Sequence, residues 1–200
     1  MNTPATVSWL LAALVSCPVY AEDRASLSSE DARLTELTGQ YTRHYRAGAY
    51  AKAIPIAEQA LSRADAVFGP EHERVAQVLN DLGQLYQSQH EIDRAARMHE
   101  RALAIRERLF KADGPAVAQS LTNLAKAYLA QGRYAQAQAL CERSLAIAER
   151  HVPSNSLSLI PMLESYAAAL RGAEKIDAAT VIESRIRQIR TGPSGNTNPK

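Results

Sequence analysis

The chain has 200 residues, 46% hydrophobic and 22% charged, with 23 Lys and Arg against 21 Asp and Glu for a formal net charge of +2. That balance excludes nucleic-acid binding through bulk positive charge and describes one domain or one array. Two Phe and one Trp among plentiful Ala and Leu, with few Gly or Pro in mid-chain, predict an all-α fold. The two cysteines, Cys17 and Cys141, form no CxxC and no Cys/His cluster, so neither a structural zinc nor a disulfide framework is expected.

Residues 1–21 read as an export signal. Val7 to Val15 is an apolar run of the length of a signal core and too short to span a membrane. Val19 and Ala21 are the small residues that precede a signal-peptidase cut, which would leave Glu22 as the mature N-terminus. Leu14-Val15-Ser16-Cys17 also resembles a bacterial lipobox with Cys17 as the lipidated residue, and both outcomes place the protein outside the cytoplasm, as a periplasmic or secreted protein or as a membrane-anchored lipoprotein. Residues 22–33 form a polar lead in which Ser28 or Ser29 is placed to cap the following helix.

From Leu34 to Arg190 helical periodicity is continuous, and its centre is a repeat. Residues 75–109 and 117–151 share fifteen identities in 35 aligned positions, including Val75-Ala76-Gln77 with Val117-Ala118-Gln119, Tyr86 with Tyr128, Leu103-Ala104-Ile105 with Leu145-Ala146-Ile147 and Glu107-Arg108 with Glu149-Arg150. A period of this size signals an array of stacked supersecondary units. Breaks at Phe68-Gly69-Pro70, Asp113-Gly114-Pro115 and Pro153-Ser154-Asn155-Ser156 divide the region into units of about 34–69, 70–112, 113–154 and 155–190, each a pair of helices around a tight turn. Gly48, His90 and Gly132 fall at the first three turns and Glu174 at the last. Pro55 lies early in its helix and is expected to bend it without breaking it. In the fourth unit Ile176, Ala179, Ile182, Ile186 and Ile189 form one apolar stripe opposite Glu183, Ser184, Arg187 and Gln188. Residues 191–200 read as a disordered tail.

Leu-x-x-Leu-Gly-x-x-Tyr at 79–86, Leu-x-x-Leu-Ala-x-x-Tyr at 121–128, Ala95 and Ala137, and Ala-Leu at 102–103 resemble the tetratricopeptide repeat. The 42-residue spacing and the Gly-Pro-Glu-His junction at 69–72 are similar to its longer variety, found in kinesin light chains and many bacterial proteins. The resemblance covers residues 34–190, most closely in units two and three. It implies a right-handed superhelical array of about 3.5–4 helix-turn-helix hairpins whose concave surface is lined by the first helix of each hairpin. Carried over position by position, the groove would comprise Gln77, Asn80, Asp81, Gln84 and Gln87 from unit two and Gln119, Thr122, Asn123 and Lys126 from unit three. Thr38, Thr42 and Tyr45 would join from unit one, and Glu164 and Arg171 from unit four. The amides among them both donate to and accept from a peptide backbone. Asn123 and Lys126 fit a carboxylate-clamp pattern, but Asp81 and Gln84 stand at the same places in unit two, which argues against an acidic C-terminal peptide.

Sites for chemistry are not supported. His72-Glu73 has Ala76 where an HExxH motif needs its second histidine, and His44, His90, His99 and His151 occupy non-equivalent positions without a carboxylate fixed by spacing. The Arg/Glu pairs at 106–108 and 149–150 read as solvated faces with small local ion-pair gains. The expected function is that of an exported scaffold or adaptor that holds a segment of another protein, with no cofactor, no metal, no nucleic acid and no enzymatic activity. The alternative is a self-associating structural subunit or an envelope-tethered assembly factor, and exposed apolar residues on the outside of the fourth unit would favour self-association.

Overall fold

Four residues at 42-residue intervals set the architecture. Gly48, His90, Gly132 and Glu174 all adopt positive φ, at 70°, 61°, 72° and 61°. The amide after each reaches back five residues: Ala49 to the His44 carbonyl at 2.8 Å, and Glu91 to Tyr86, Arg133 to Tyr128 and Lys175 to Leu170, each at 2.9 Å. This left-handed helix ending satisfies carbonyls that the terminating helix would otherwise orphan. Glycine adopts it freely, whereas His90 and Glu174 are held in it by the surrounding structure.

The computed structural model describes residues 18–110 and 113–192, with side chains from Ser29 onward. Its helices are α1 (Pro18–Arg46), α2 (Tyr50–Phe68), α3 (Glu73–Ser88), α4 (Ile92–Phe110), α5 (Pro115–Ala130), α6 (Tyr134–Ala148), α7 (Ile160–Gly172) and α8 (Ile176–Thr191), with a short 3-10 turn at Leu157–Leu159 before α7. No strand occurs among the described residues. Helices adjacent in sequence pair throughout, and the first helices of successive hairpins also meet, α3 with α5 and α5 with α7. The result is an all-α array of four helical hairpins. The expected breaks fall between hairpins. Gly69 has φ 83°, His72 Nδ1 caps α3 by accepting from the Arg74 amide at 3.1 Å, and Pro115 opens α5 where its missing N–H costs nothing. Pro55 lies inside an unbroken α2.

Three expectations are corrected. The polar lead 22–33 is helical and continuous with the first repeat helix, so Ser28 and Ser29 lie within α1 and do not cap it. The acidic residues of the lead explain the continuation, because Glu30 pairs with Arg63 at 2.5 Å and Asp31 with Arg74 at 2.6 Å, which ties α1 to α2 and α3. Ile176 is 51% exposed, while Ala179, Ile186 and Ile189 are buried and Ile182 packs at their edge. At the same register in α6, Tyr134 lies against Gly172 of the next hairpin, and after α8 no further hairpin follows among the described residues. Arg106, expected on a solvated face, has a side chain only 2% exposed. Its guanidinium donates to Glu73 at 3.0 Å, Gln77 Oε1 at 3.1 Å and Ser120 Oγ at 3.0 Å, and so clasps α3 and α5 from α4.

Packing within hairpins alternates large against small. A Cβ on Gly83 would lie 2.4 Å from the ring of buried His99, so only glycine fits there. The same two registers hold Ala125 and Cys141 in unit three and Tyr41 and Ala57 in unit one, all buried. Tyr41 thus stands where a small residue is usual because its register partner has shrunk to alanine. Between hairpins a tyrosine hydroxyl reaches back to a glutamate of the preceding second helix: Tyr86 to Glu58, Tyr128 to Glu100 at 2.8 Å and Tyr166 to Glu142 at 2.9 Å. Leu170 occupies the register of Tyr86 and Tyr128, and Tyr166, one turn earlier, supplies the bond in its place. Asp65–Arg101 at 2.7 Å, Glu107–Arg143 and Glu149–Arg185 at 2.6 Å repeat at the same interval along the second helices. Each such exposed pair contributes at most about 1 kcal/mol.

Candidate functional site

The first helices α1, α3 and α5 line two open cavities that adjoin at Tyr45 and Gln84, and together these are the channel referred to below. One cavity, about 270 Å³, lies between α1 and α3 against Tyr41, Thr42, Arg46, Asp81 and Leu85. The other, about 340 Å³, continues toward α5 along Gln87, Ser88, Gln119, Asn123 and Lys126. The i,i+4 step from Gln84 to Ser88 and the i,i+3 step from Asn123 to Lys126 place each pair on one helical face. The Ser88 hydroxyl is turned back onto the Gln84 carbonyl at 2.9 Å.

Of the residues expected to line a groove, Thr42, Tyr45, Asp81, Gln84, Gln87, Gln119, Asn123 and Lys126 meet in this channel. Gln77 stands beside it, with its amide nitrogen on Asp81 at 3.1 Å and its amide oxygen on Arg106. Asn80 and Thr122 do not face it, being only 1% and 6% exposed. Asn80 Oδ1 accepts from Asn123 Nδ2 at 2.7 Å, so the following hairpin covers it, and the Thr122 hydroxyl is bound to the Ala118 carbonyl and Ser144. Glu164, at the same register but with no hairpin after it among the described residues, is exposed. Arg171 lies elsewhere, in a separate cavity of about 400 Å³ on α7 and α8, where it grips Glu183 through two bonds at 2.6 and 2.8 Å. Cys17 and the apolar run 7–15 lie outside the described residues, as does the tail from 193.

Charge in the channel is uneven. Arg46 and Lys126 have no ion-pair partner among the described residues. Asp81 is the one carboxylate lining either cavity; burial raises its pKa against the lowering effect of hydrogen bonds from Tyr41 and Gln77. The Tyr41 hydroxyl donates to Asp81 at 2.7 Å and is itself pushed well above the usual tyrosine range, by burial first and the Asp81 charge second. Tyr41, Arg46, Leu85 and Ser88 are channel residues that pattern reading missed. Ser88 was legible as one turn on from Gln84, whereas the Tyr41–Asp81 bond, spanning 40 residues, leaves no local trace.

No curated protein matches the chain by sequence. Among solved structures, BtubC (BKLC) from P. vanneervenii superposes with a TM-score of 0.76 at 23% identity, covering 86% of this chain and 68% of that one. A Podosopora anserina putative kinesin light chain with nearly identical TPR-like repeats superposes at 0.67 and 22% identity, covering 80% and 75%. A single-residue variant of that protein gives 0.70 and 21% over the same shares. These likenesses establish a common fold. The sequence model of the tetratricopeptide repeat matches residues 44–108 and 95–150, more than half of the chain and the same stretch in which the left-handed turn and the tyrosine–glutamate bonds recur, and the protein belongs to that family.

Proposed function

We propose that this protein is an exported scaffold that holds an extended segment of another protein along the channel of α1, α3 and α5. Tetratricopeptide repeats imply a protein-interaction scaffold, typically without catalysis of its own. The observation that carries the location is the pair of adjoining cavities, in which Gln84, Gln87, Gln119 and Asn123 present amides between two cations without a fixed counter-ion among the described residues. Amides there can exchange hydrogen bonds with a peptide backbone on a preformed surface, so little ordering is asked of the receptor. Stacking of further copies on the fourth hairpin is the second reading: Ile176 and Val181 are exposed on α8, while the Glu164–Arg190 and Arg171–Glu183 pairs across α7 and α8 make the surface beside them polar. No helix among the described residues is long and apolar enough to cross a membrane. Export rests on the apolar run 7–15 and the Val19-Tyr20-Ala21 ending.

Pull-down from envelope extract with the purified protein and with a Gln84→Ala/Asn123→Ala/Lys126→Ala variant tests the channel. A partner retained by the first and lost by the second, at unchanged melting temperature, is expected; equal capture by both would move the interaction to another surface. Mass spectrometry of the native protein should find Glu22 at the N-terminus. An acylated Cys17 would replace simple secretion with tethering, and an intact Met1 would end the export reading.

A further inference from the structure

The α1/α3 end of the channel contains a carboxylate without a counter-ion. Asp81 is held by neutral donors, the Tyr41 hydroxyl and the Gln77 amide, and the cation that acts on it, Arg106, is already committed to Glu73. Buried and half-buried carboxylates are ordinarily paired, because desolvation is costly unless a positive charge offsets it. The open side of Asp81 faces the cavity of about 270 Å³, whose other walls are the Tyr41 and Tyr45 rings, Thr42, Gln84 and buried Leu85, with Arg46 also against it. An apolar wall ending in an acceptor suits a side chain with an aliphatic stem and a cationic tip, and the Tyr45 ring offers that tip a further face.

We infer that this cavity is the anchor pocket of the channel and takes a lysine or arginine side chain of the bound segment, with its ammonium or guanidinium on Asp81. The inference rests on the channel reading above. Arg46 has no carboxylate partner among the described residues and competes for the pocket by like-charge repulsion.

The test is selection of a displayed random octapeptide library on the full-length protein, followed by fluorescence-anisotropy titration of a selected peptide and of its twin with norleucine in place of the enriched basic residue. The selected peptides should share a Lys or Arg at one position. The norleucine twin should bind about tenfold more weakly, the size of a charge-assisted hydrogen bond. On Asp81→Asn the two peptides should bind alike, and on Arg46→Ala the basic peptide should bind more tightly than on the parent protein. The norleucine comparison alters the ligand alone, so it stands even if Asp81→Asn is unstable. Peptides that bind the channel, lose affinity in the Gln84→Ala/Asn123→Ala/Lys126→Ala variant and show no basic preference would overturn the anchor and leave the scaffold reading standing. Peptides that ignore that triple change, or a library that yields no binder, would overturn both.

Discussion

Helices α4 and α6 share one register 42 residues apart, and Leu103 and Ile105 in the first are matched by Leu145 and Ile147 in the second, all buried. At two other positions of that register they diverge. Where α4 buries Arg106 and His99, α6 buries Ala148 and Cys141. Between units two and three the Arg106 guanidinium fills the space among Glu73, the Ala116 carbonyl and Ser120. Between units three and four the corresponding space is a cavity of about 150 Å³ walled by Pro115, Ala118, Ala148, Leu159 and Met162, because Pro115 stands for Glu73, Ala148 for Arg106 and Met162 for Ser120. A repeat protein can therefore keep its backbone period strict while each interface is sealed by different chemistry. One interface here is ionic and filled, the other apolar and underfilled.

The largest effects should come from the residues that the two helices share. Truncating Leu103 or Leu145 to Ala should cost roughly 2–5 kcal/mol each, read as urea-denaturation midpoints, while Gln87→Ala on the channel side should change the midpoint little. Markedly unequal losses at Leu103 and Leu145 would show that their interfaces differ in packing as well as in chemistry.

The ionic interface should be sensitive to loss of a partner where the apolar one is not. Glu73→Ala strands a buried guanidinium and should cost about 3 kcal/mol, whereas Pro115→Ala at the same register should cost far less. The converse change, Ala148→Arg, places a cation where no carboxylate waits and should destabilise by about 2 kcal/mol. If Glu73→Ala were neutral, the Arg106 cluster would be a passive filler and the contrast between the interfaces would be one of shape alone.

The hairpins and their phase were legible in sequence because the signals are local and repeated. Gly48 and Gly132 marked turns, and the same spacing located His90 and Glu174 although neither residue advertises a left-handed conformation. Interior chemistry was less legible. Local spacing of Arg and Glu reports helix-face pairs, so Arg106 read as solvated; its acceptors Glu73 and Ser120 lie 33 and 14 residues away. The channel was legible in eight of its residues, but Asn80 and Thr122 were misplaced because whether their register is open depends on the hairpin that follows. The lead failed for a related reason. Its acidic residues looked solvated in isolation, and the Arg63 and Arg74 that hold two of them belong to other helices.

Acid should separate the hairpins further. Burial, with a smaller contribution from the Lys126 charge, lowers the His99 pKa from 6.5 to about 4, and neither ring nitrogen has a hydrogen-bond partner among the described residues. The unfolded chain therefore binds a proton below pH 6.5 that the folded chain refuses until about pH 4, so stability falls as pH drops through that window. At pH 5 the loss should be about 2 kcal/mol. Asp81, whose carboxyl is raised, acts in the opposite sense, but it does so equally in a His99→Leu variant. The difference in denaturation midpoint between pH 7 and pH 5 should shrink in that variant, and an unchanged difference would assign the acid sensitivity to other groups. Cys141 at the same register has its thiol pushed up to about 12 by burial and adds nothing in this range.

The smallest effect should be a gain. The cleft beside Ala148 is lined mainly by apolar side chains and is open on one side, so a side chain laid in it would gain dispersion contacts and take apolar surface out of water. Methionine is the suitable filler because its unbranched thioether follows the path that the stem of Arg106 takes in the neighbouring interface, without a charge at its end. Ala148→Met should raise stability by about 1 kcal/mol, partly offset by the rotamer freedom lost on burial. Matched melting curves for Ala148→Met and for Ala64→Met, at the same register in the first interface, sharpen the comparison. Ala64 is fully buried and no cavity adjoins it among the principal ones of the described residues, so the second substitution should overpack and lower the melting temperature. A gain at both sites would mean that the whole array is loosely packed; a loss at both would mean that the space by Ala148 closes in solution and that the third interface is as full as the second.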